Sequence, residues 1–280
     1  MRITRDTLMK IARDTAAQRA RQDRSLICIY LTGSLVLEDD ALLGGTTDID
    51  LVMVHDHDPA EERELVRLSD EVHLDIAHHS QARYARSRNL RLDPWVGSYL
   101  CEDPICLHDL QHWFEFTQAN VAAQFNLPET VLARCRPLAE RARQTWMQLS
   151  QEQAKPEAET LVRYYRALAD AANAIACLDG PPLTERRLLL NLPARAEAVS
   201  RPGLAAGLVD LCSRQALDVE TWQSFAADWS ASLTAASKLN ARPQRLDACR
   251  IPYYTRAAAA VPEIAPWILP RTWAAAECAL

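Results

Sequence analysis

Two aspartates interrupt an apolar run at Asp48-Ile49-Asp50, and this pair constrains the fold more than anything else in the 280 residues. Leu26-Ile-Cys-Ile-Tyr-Leu-Thr32 leads into Gly33-Ser34, a loop carrying Gly44-Gly45-Thr46-Thr47 follows, and then comes Asp48-Ile-Asp50-Leu-Val-Met-Val54. Both flanks read as short buried strands. Side chains alternate along a strand, so Asp48 and Asp50 point one way while Ile49 and Leu51 point the other. Two such close carboxylates repel unless a proton or a cation sits between them. Burying even an uncharged polar group without a partner costs on the order of 2–7 kcal/mol. A divalent metal answers both demands.

A third acid follows. Glu71-Val-His-Leu-Asp75-Ile-Ala77 is another strand-like run with a lone Asp among apolar neighbours, reached after a helix-like segment from about Pro59 to Ser69. Asp75 beside the Asp-x-Asp pair would give three oxygen ligands for Mg²⁺, which takes its remaining ligands from water and substrate phosphates. That chemistry is phosphoryl or nucleotidyl transfer. Three of the seven glycines, at 33, 44 and 45, fall in this one segment, which sets it apart from a chance Gly-Ser or Asp-x-Asp match.

The order Gly-Ser, spacer, Asp-x-Asp, helix, acid-bearing strand resembles the nucleotidyltransferase superfamily of polymerase-beta type. Within it, the aminoglycoside adenylyltransferases, which join this domain to a helical C-terminal half, are similar. The resemblance is specific over residues 26–77 and architectural beyond them. It implies that Gly33 and Ser34 hold the triphosphate of ATP, that Asp48 and Asp50 bind two Mg²⁺ ions, and that Asp75 is the third ligand or the general base. It also implies that the helical half lines one wall of the nucleotide cleft, where Arg163 and Arg166, one turn apart, become candidate phosphate contacts. The loop from Ser34 to Asp48 departs from the family pattern in being longer and in carrying Glu38-Asp39-Asp40. Those acids are expected to face solvent or a cationic acceptor.

The rest of the chain divides in two. Residues 3–22 have helical spacing (Leu8, Ile11, Ala16) and are expected to cover the back of the sheet, leaving the acid edge open. An Arg-rich run at 80–91 and an edge strand at Ile105-Cys-Leu-His-Asp109 complete an α/β (α+β) nucleotidyltransferase domain with a small mixed sheet, 1–120. Ala/Leu/Arg-rich helical patterns at 110–126, 129–153, 157–178, 184–199, 202–215 and 218–238 follow, stopped by Asp179-Gly-Pro-Pro182 and Arg201-Pro-Gly203. Residues 121–280 therefore read as an all-α helical bundle, its proline-containing tail a short closing segment. Trp222 and Trp229, one heptad apart, read as core.

A net charge of −6 does not favour a nucleic-acid backbone as partner. It suits a small acceptor, aminoglycoside-like or another hydroxyl compound. Eight cysteines without a Cys-x-x-Cys pair read as thiols of a reducing compartment. The N-terminus lacks a signal-peptide core and no apolar stretch approaches the ~20 residues that span a bilayer, so a cytoplasmic location without membrane contact is expected. Two alternatives stand beside the transferase: a degenerate nucleotide-binding module, and a His/Asp zinc hydrolase built on histidines that all lie between 55 and 112. No histidine follows His112, which argues against a ribonuclease in the helical half.

Overall fold

The computed structural model describes residues 3–37, 41–152, 157–212, 219–240 and 243–280, with backbone alone at 219–223. Glu38-Asp39-Asp40 and the Trp222 side chain lie outside the described residues. The chain forms two compact units, Met1–Val131 and Leu132–Leu280.

The first unit runs α1 (Arg5–Gln22), β1 (Leu26–Thr32), α2 (Ser34–Leu37), β2 (Thr47–His55), β3 (Arg63–Arg67), β4 (Val72–Ser80), α3 (Ser87–Leu92), α4 (Val96–Cys101), β5 (Ile105–Asp109) and α5 (Trp113–Ala122). The strands make one mixed sheet in the order β3-β4-β2-β1-β5. β2 and β4 are parallel, and the other neighbours are antiparallel. Helix α1 starts where the Thr4 hydroxyl accepts from the Thr7 N–H at 3.2 Å, satisfying one of the donors that a helix start leaves open. Its Leu8, Ala12 and Ala16, four residues apart, are buried against Ile29, Leu31, Ile49, Leu51, Met53 and Ile76 of the sheet. The opposite face, carrying Cys28, Tyr30, Val52 and Val54, packs under Leu90, Val96, Leu100, Phe114 and Val121 from α3, α4 and α5. Fully burying each such aliphatic side chain contributes roughly 1.5–3 kcal/mol.

The segment expected as a helix between Pro59 and Ser69 is instead a strand. β3 pairs antiparallel with β4, Leu65 opposite Asp75 and Arg67 opposite His73. As an edge strand it is only half buried, so its alternation is carried by charged residues, Arg63-Glu64-Leu65-Val66-Arg67, rather than by an apolar stripe. Charges on both faces hid the period of two.

In the second unit α6 (Pro128–Gln151), α7 (Ala158–Ala176), α8 (Leu188–Ala198), α9 (Gly203–Cys212) and α10 (Val219–Ala236) follow the expected helical pattern. The stop after α8 is made by Ser200, at φ 57°, and not by Gly203, which opens α9. The Arg201 and Ser200 N–H groups donate back to Ala196 and Glu197 carbonyls, closing the helix as a left-handed cap does. The tail is the larger correction. It forms α11 (Arg250–Ala260) and α12 (Ala265–Ala279), and α12 is the core helix of the unit, with Trp267, Ile268 and Leu269 buried. Pro266 falls in the first turn, where a missing N–H costs nothing. Prolines that read as helix breakers are here spaced within helices. Helix α12 packs on α7 and α10, with Tyr165 edge-on to Trp267 at 5.8 Å between ring centroids, and Trp229 is fully buried.

Candidate metal centre

Strand register assembles the acids. Asp50 lies opposite Thr32 on β1 and opposite Asp75 on β4, while Asp48 lies opposite His73. Residues directly opposite share a face, so all three carboxylates sit on the side under α3 to α5, away from the α1 face that buries Ile49 and Leu51. Each offers one oxygen, and these atoms lie within 4.8 Å of one another. Asp48 and Asp75 are buried and Asp50 is half-buried.

Gly33 makes room for this arrangement. It joins β1 to α2 at φ +78°, and a Cβ built there would fall 2.0 Å from Asp50 Oδ2. Only glycine accommodates both the left-handed backbone and the carboxylate behind it. Its carbonyl accepts from the N–H groups of Val36 and Leu37, and Ser34 opens the short helix beside the acids.

The third acid has a cationic neighbour that the sequence did not reveal. Arg63 donates through Nε to Asp75 Oδ1 at 2.5 Å and through a terminal nitrogen to Oδ2 at 2.6 Å, gripping both oxygens. His73 Nδ1 lies 3.7 Å from Asp48 Oδ1, both groups buried. Tyr99, on α4, also reaches the cluster's field. Burial pushes its phenol above the ordinary range, with Asp50 and Asp75 adding to the rise and Arg63 opposing it. Neither Arg63 nor Tyr99 belongs to a motif. Arg63 was screened by the helical reading of its segment, and Tyr99 is a plain helix residue whose place depends on how α4 packs.

These residues fit a hard divalent cation. An Mg²⁺ ion holds oxygens at about 2.0–2.1 Å, so ligand atoms roughly 3–4 Å apart are needed, a small carboxylate rotation from the observed spread. Three carboxylates and one guanidinium sum to −2, the charge a divalent ion offsets. Among the described residues no other group of three or more His, Cys, Asp or Glu converges in this way.

A scan of protein-family models and a comparison with curated proteins both find no match to this chain.

The histidines take a different course from a metal site. His55 Nε2 and His78 Nδ1 hydrogen-bond at 2.9 Å. His55 also meets the Ser25 hydroxyl at 3.1 Å and Asp23 at 3.5 Å, and His78 lies 3.5 Å from Glu64. His57 sits against Asp56. Among the described residues no group able to hold a metal includes a histidine.

Arg163 and Arg166 lie on α7, in the second unit. Arg163 pairs with Glu152 at 2.7 Å, and Arg166 is exposed. The arginines of this unit that do gather are others. Arg186 and Arg250 stack on the Tyr253 ring, 3.3 and 4.6 Å from its centroid, while Arg271 and Arg245 flank Glu185 at 3.4 and 3.9 Å. Glu185 also accepts from the Tyr254 hydroxyl at 2.9 Å. All eight cysteines are free thiols, and no described helix is long and apolar enough to cross a membrane.

Proposed function

We propose that the protein is an Mg²⁺-dependent nucleotidyltransferase of the polymerase-beta type, moving AMP from ATP to a hydroxyl of a small, aminoglycoside-like acceptor. The observation that carries this reading is the convergence of Asp48, Asp50 and Asp75, one oxygen each within 4.8 Å, on one face of a mixed sheet. Support comes also from the glycine turn at Gly33-Ser34, which the register sets directly against Asp50.

Asp48 and Asp50 would hold the cations, with Asp75 as the third ligand. Bound there, Mg²⁺ supplies charge neutralisation for the phosphate oxygens and for departing pyrophosphate. Gly33 lets the chain pass against Asp50 without a side chain in the way, and the Gly33-Ser34 turn would hold a phosphate through backbone N–H and the Ser34 hydroxyl. Of the two roles expected for Asp75, we favour ligand over base: its carboxylate converges with those of Asp48 and Asp50, while both its oxygens already accept from Arg63. The acceptor hydroxyl then attacks the α-phosphorus in line, the bond to pyrophosphate breaks, and the hydroxyl proton passes to solvent or to the cluster. A net charge of −6 suits a cationic small molecule better than a polynucleotide, and a cytoplasmic setting, where ATP and Mg²⁺ abound, accords with the free thiols.

The test is pyrophosphate release with ATP, GTP, CTP or UTP, Mg²⁺ and a panel of aminoglycoside and other hydroxyl acceptors, in wild type and Asp50→Asn. Acceptor-dependent release lost in the variant is the expected result. Nucleotide binding without transfer for any acceptor would leave a binding module instead.

A further inference from the structure

We infer that Arg63 is a positioning residue that sets how tightly the aspartate cluster takes a divalent cation, holding the affinity of the nucleotide-free protein low; this rests on the cation-site reading above. Arg63 projects from the edge strand β3 onto the neighbouring strand and engages both oxygens of Asp75, at 2.5 and 2.6 Å. The Asp75 side chain is 3% exposed and that of Arg63 53%, so the guanidinium reaches inward from solvent to meet an acid that is otherwise enclosed. A planar fork on a carboxylate fixes the plane of the carboxylate as well as its position. A carboxylate oxygen has two lone pairs, so accepting from a guanidinium does not by itself bar it from a cation.

The electrostatic consequence has a definite sign. A positive charge bound to one of three ligands repels an incoming cation and neutralises part of the charge that attracts it. The free protein therefore takes a divalent ion weakly. A triphosphate brings negative charge that compensates the ion and the guanidinium together, so cation and nucleotide load cooperatively. If the ion pair merely fastened β3 to β4, losing it would loosen the strand and weaken cation binding. The two readings predict opposite changes.

The experiment is Mn²⁺ titration of nucleotide-free protein, followed by the electron paramagnetic resonance of free Mn²⁺, for wild type, Arg63→Gln, Arg63→Lys and Asp50→Asn, with urea unfolding of each. Arg63→Gln should bind Mn²⁺ at least about fivefold more tightly at low ionic strength, the gain shrinking in high salt as screened charge requires. Arg63→Lys, which keeps the charge, should stay within about twofold of wild type, a small difference beside the loss of a full charge. A cooperatively folded Arg63→Gln with equal or weaker Mn²⁺ binding overturns the inference while the site stands, provided Asp50→Asn abolishes binding. Wild-type Mn²⁺ binding that Asp50→Asn leaves unchanged removes the cation site itself, and this inference with it.

Discussion

The Gly33 backbone rests against the Asp50 carboxylate so closely that a methyl group at 33 would overlap Oδ2, at 2.0 Å. Gly33→Ala should therefore cost at least about 2 kcal/mol of stability, part from the positive φ and part from the collision. It should also displace Asp50 and weaken Mn²⁺ binding. Gly45, at φ +73° with nothing within 4 Å of its virtual Cβ, is the control for backbone strain alone. Urea unfolding and Mn²⁺ titration of both variants check this. Equal losses at the two positions would show that the close approach to Asp50 carries no energy.

Asp50→Asn removes one of three clustered carboxylates. In metal-free protein it should be neutral or stabilising by about 0.5–1 kcal/mol, because it removes one of three like charges that repel within a few ångströms. The proposed nucleotide transfer should nonetheless disappear. Melting temperature in EDTA, measured beside pyrophosphate release, separates the two effects, and a large stability loss would assign Asp50 a structural hydrogen bond instead.

His79 Nδ1 lies 2.6 Å from the Tyr84 hydroxyl, which in turn lies 3.1 Å from that of Tyr30. Burial, aided by Arg83, lowers the imidazole from its ordinary 6.5 to about 4. The unfolded chain takes up its proton below pH 6.5 while the folded chain stays neutral, so this contribution to stability is complete above that pH and is lost as pH falls toward 4. Between pH 7 and 4.5 the wild type should lose about 2 kcal/mol more than His79→Gln, which cannot titrate. His55, lowered chiefly by burial and next by His78, acts in the same direction in both proteins. Urea unfolding at pH 7, 5.5 and 4.5 reads the difference, and parallel acid limbs would disprove it.

Trp229 Nε1 donates to Thr272 Oγ1 at 2.9 Å, and Thr272 donates to the Ile268 carbonyl at 2.7 Å. Trp229→Phe leaves the threonine hydroxyl with its acceptor, so the cost should be only about 1–2 kcal/mol, a hydrogen bond and a small void. Trp229→Ala should cost about 3–5 kcal/mol through the cavity. Unfolding followed by circular dichroism distinguishes them.

Local pattern was enough to determine the strands around Asp48 and Asp50, the helix carrying Leu8, Ala12 and Ala16, and the same-face pairing of the two acids, because alternation along a strand and the helical repeat are properties of neighbours in the chain. The sequence also singled out Asp75, since a lone acid in an apolar strand stands out without reference to anything distant. It could not determine that Arg63 holds Asp75, that Tyr99 lies in the field of the acids, or that Gly33 touches Asp50. Each of these depends on which strands become neighbours and in what register, and register is a matter of long-range pairing. β3 reads as a helix from sequence for the same reason: an edge strand carries charges on both faces, and only its bonds to β4 make it a strand. The proline-bearing tail shows the converse, for Pro266 is harmless once the helix begins beside it. Local chemistry chose the acids, and tertiary pairing chose the company they keep.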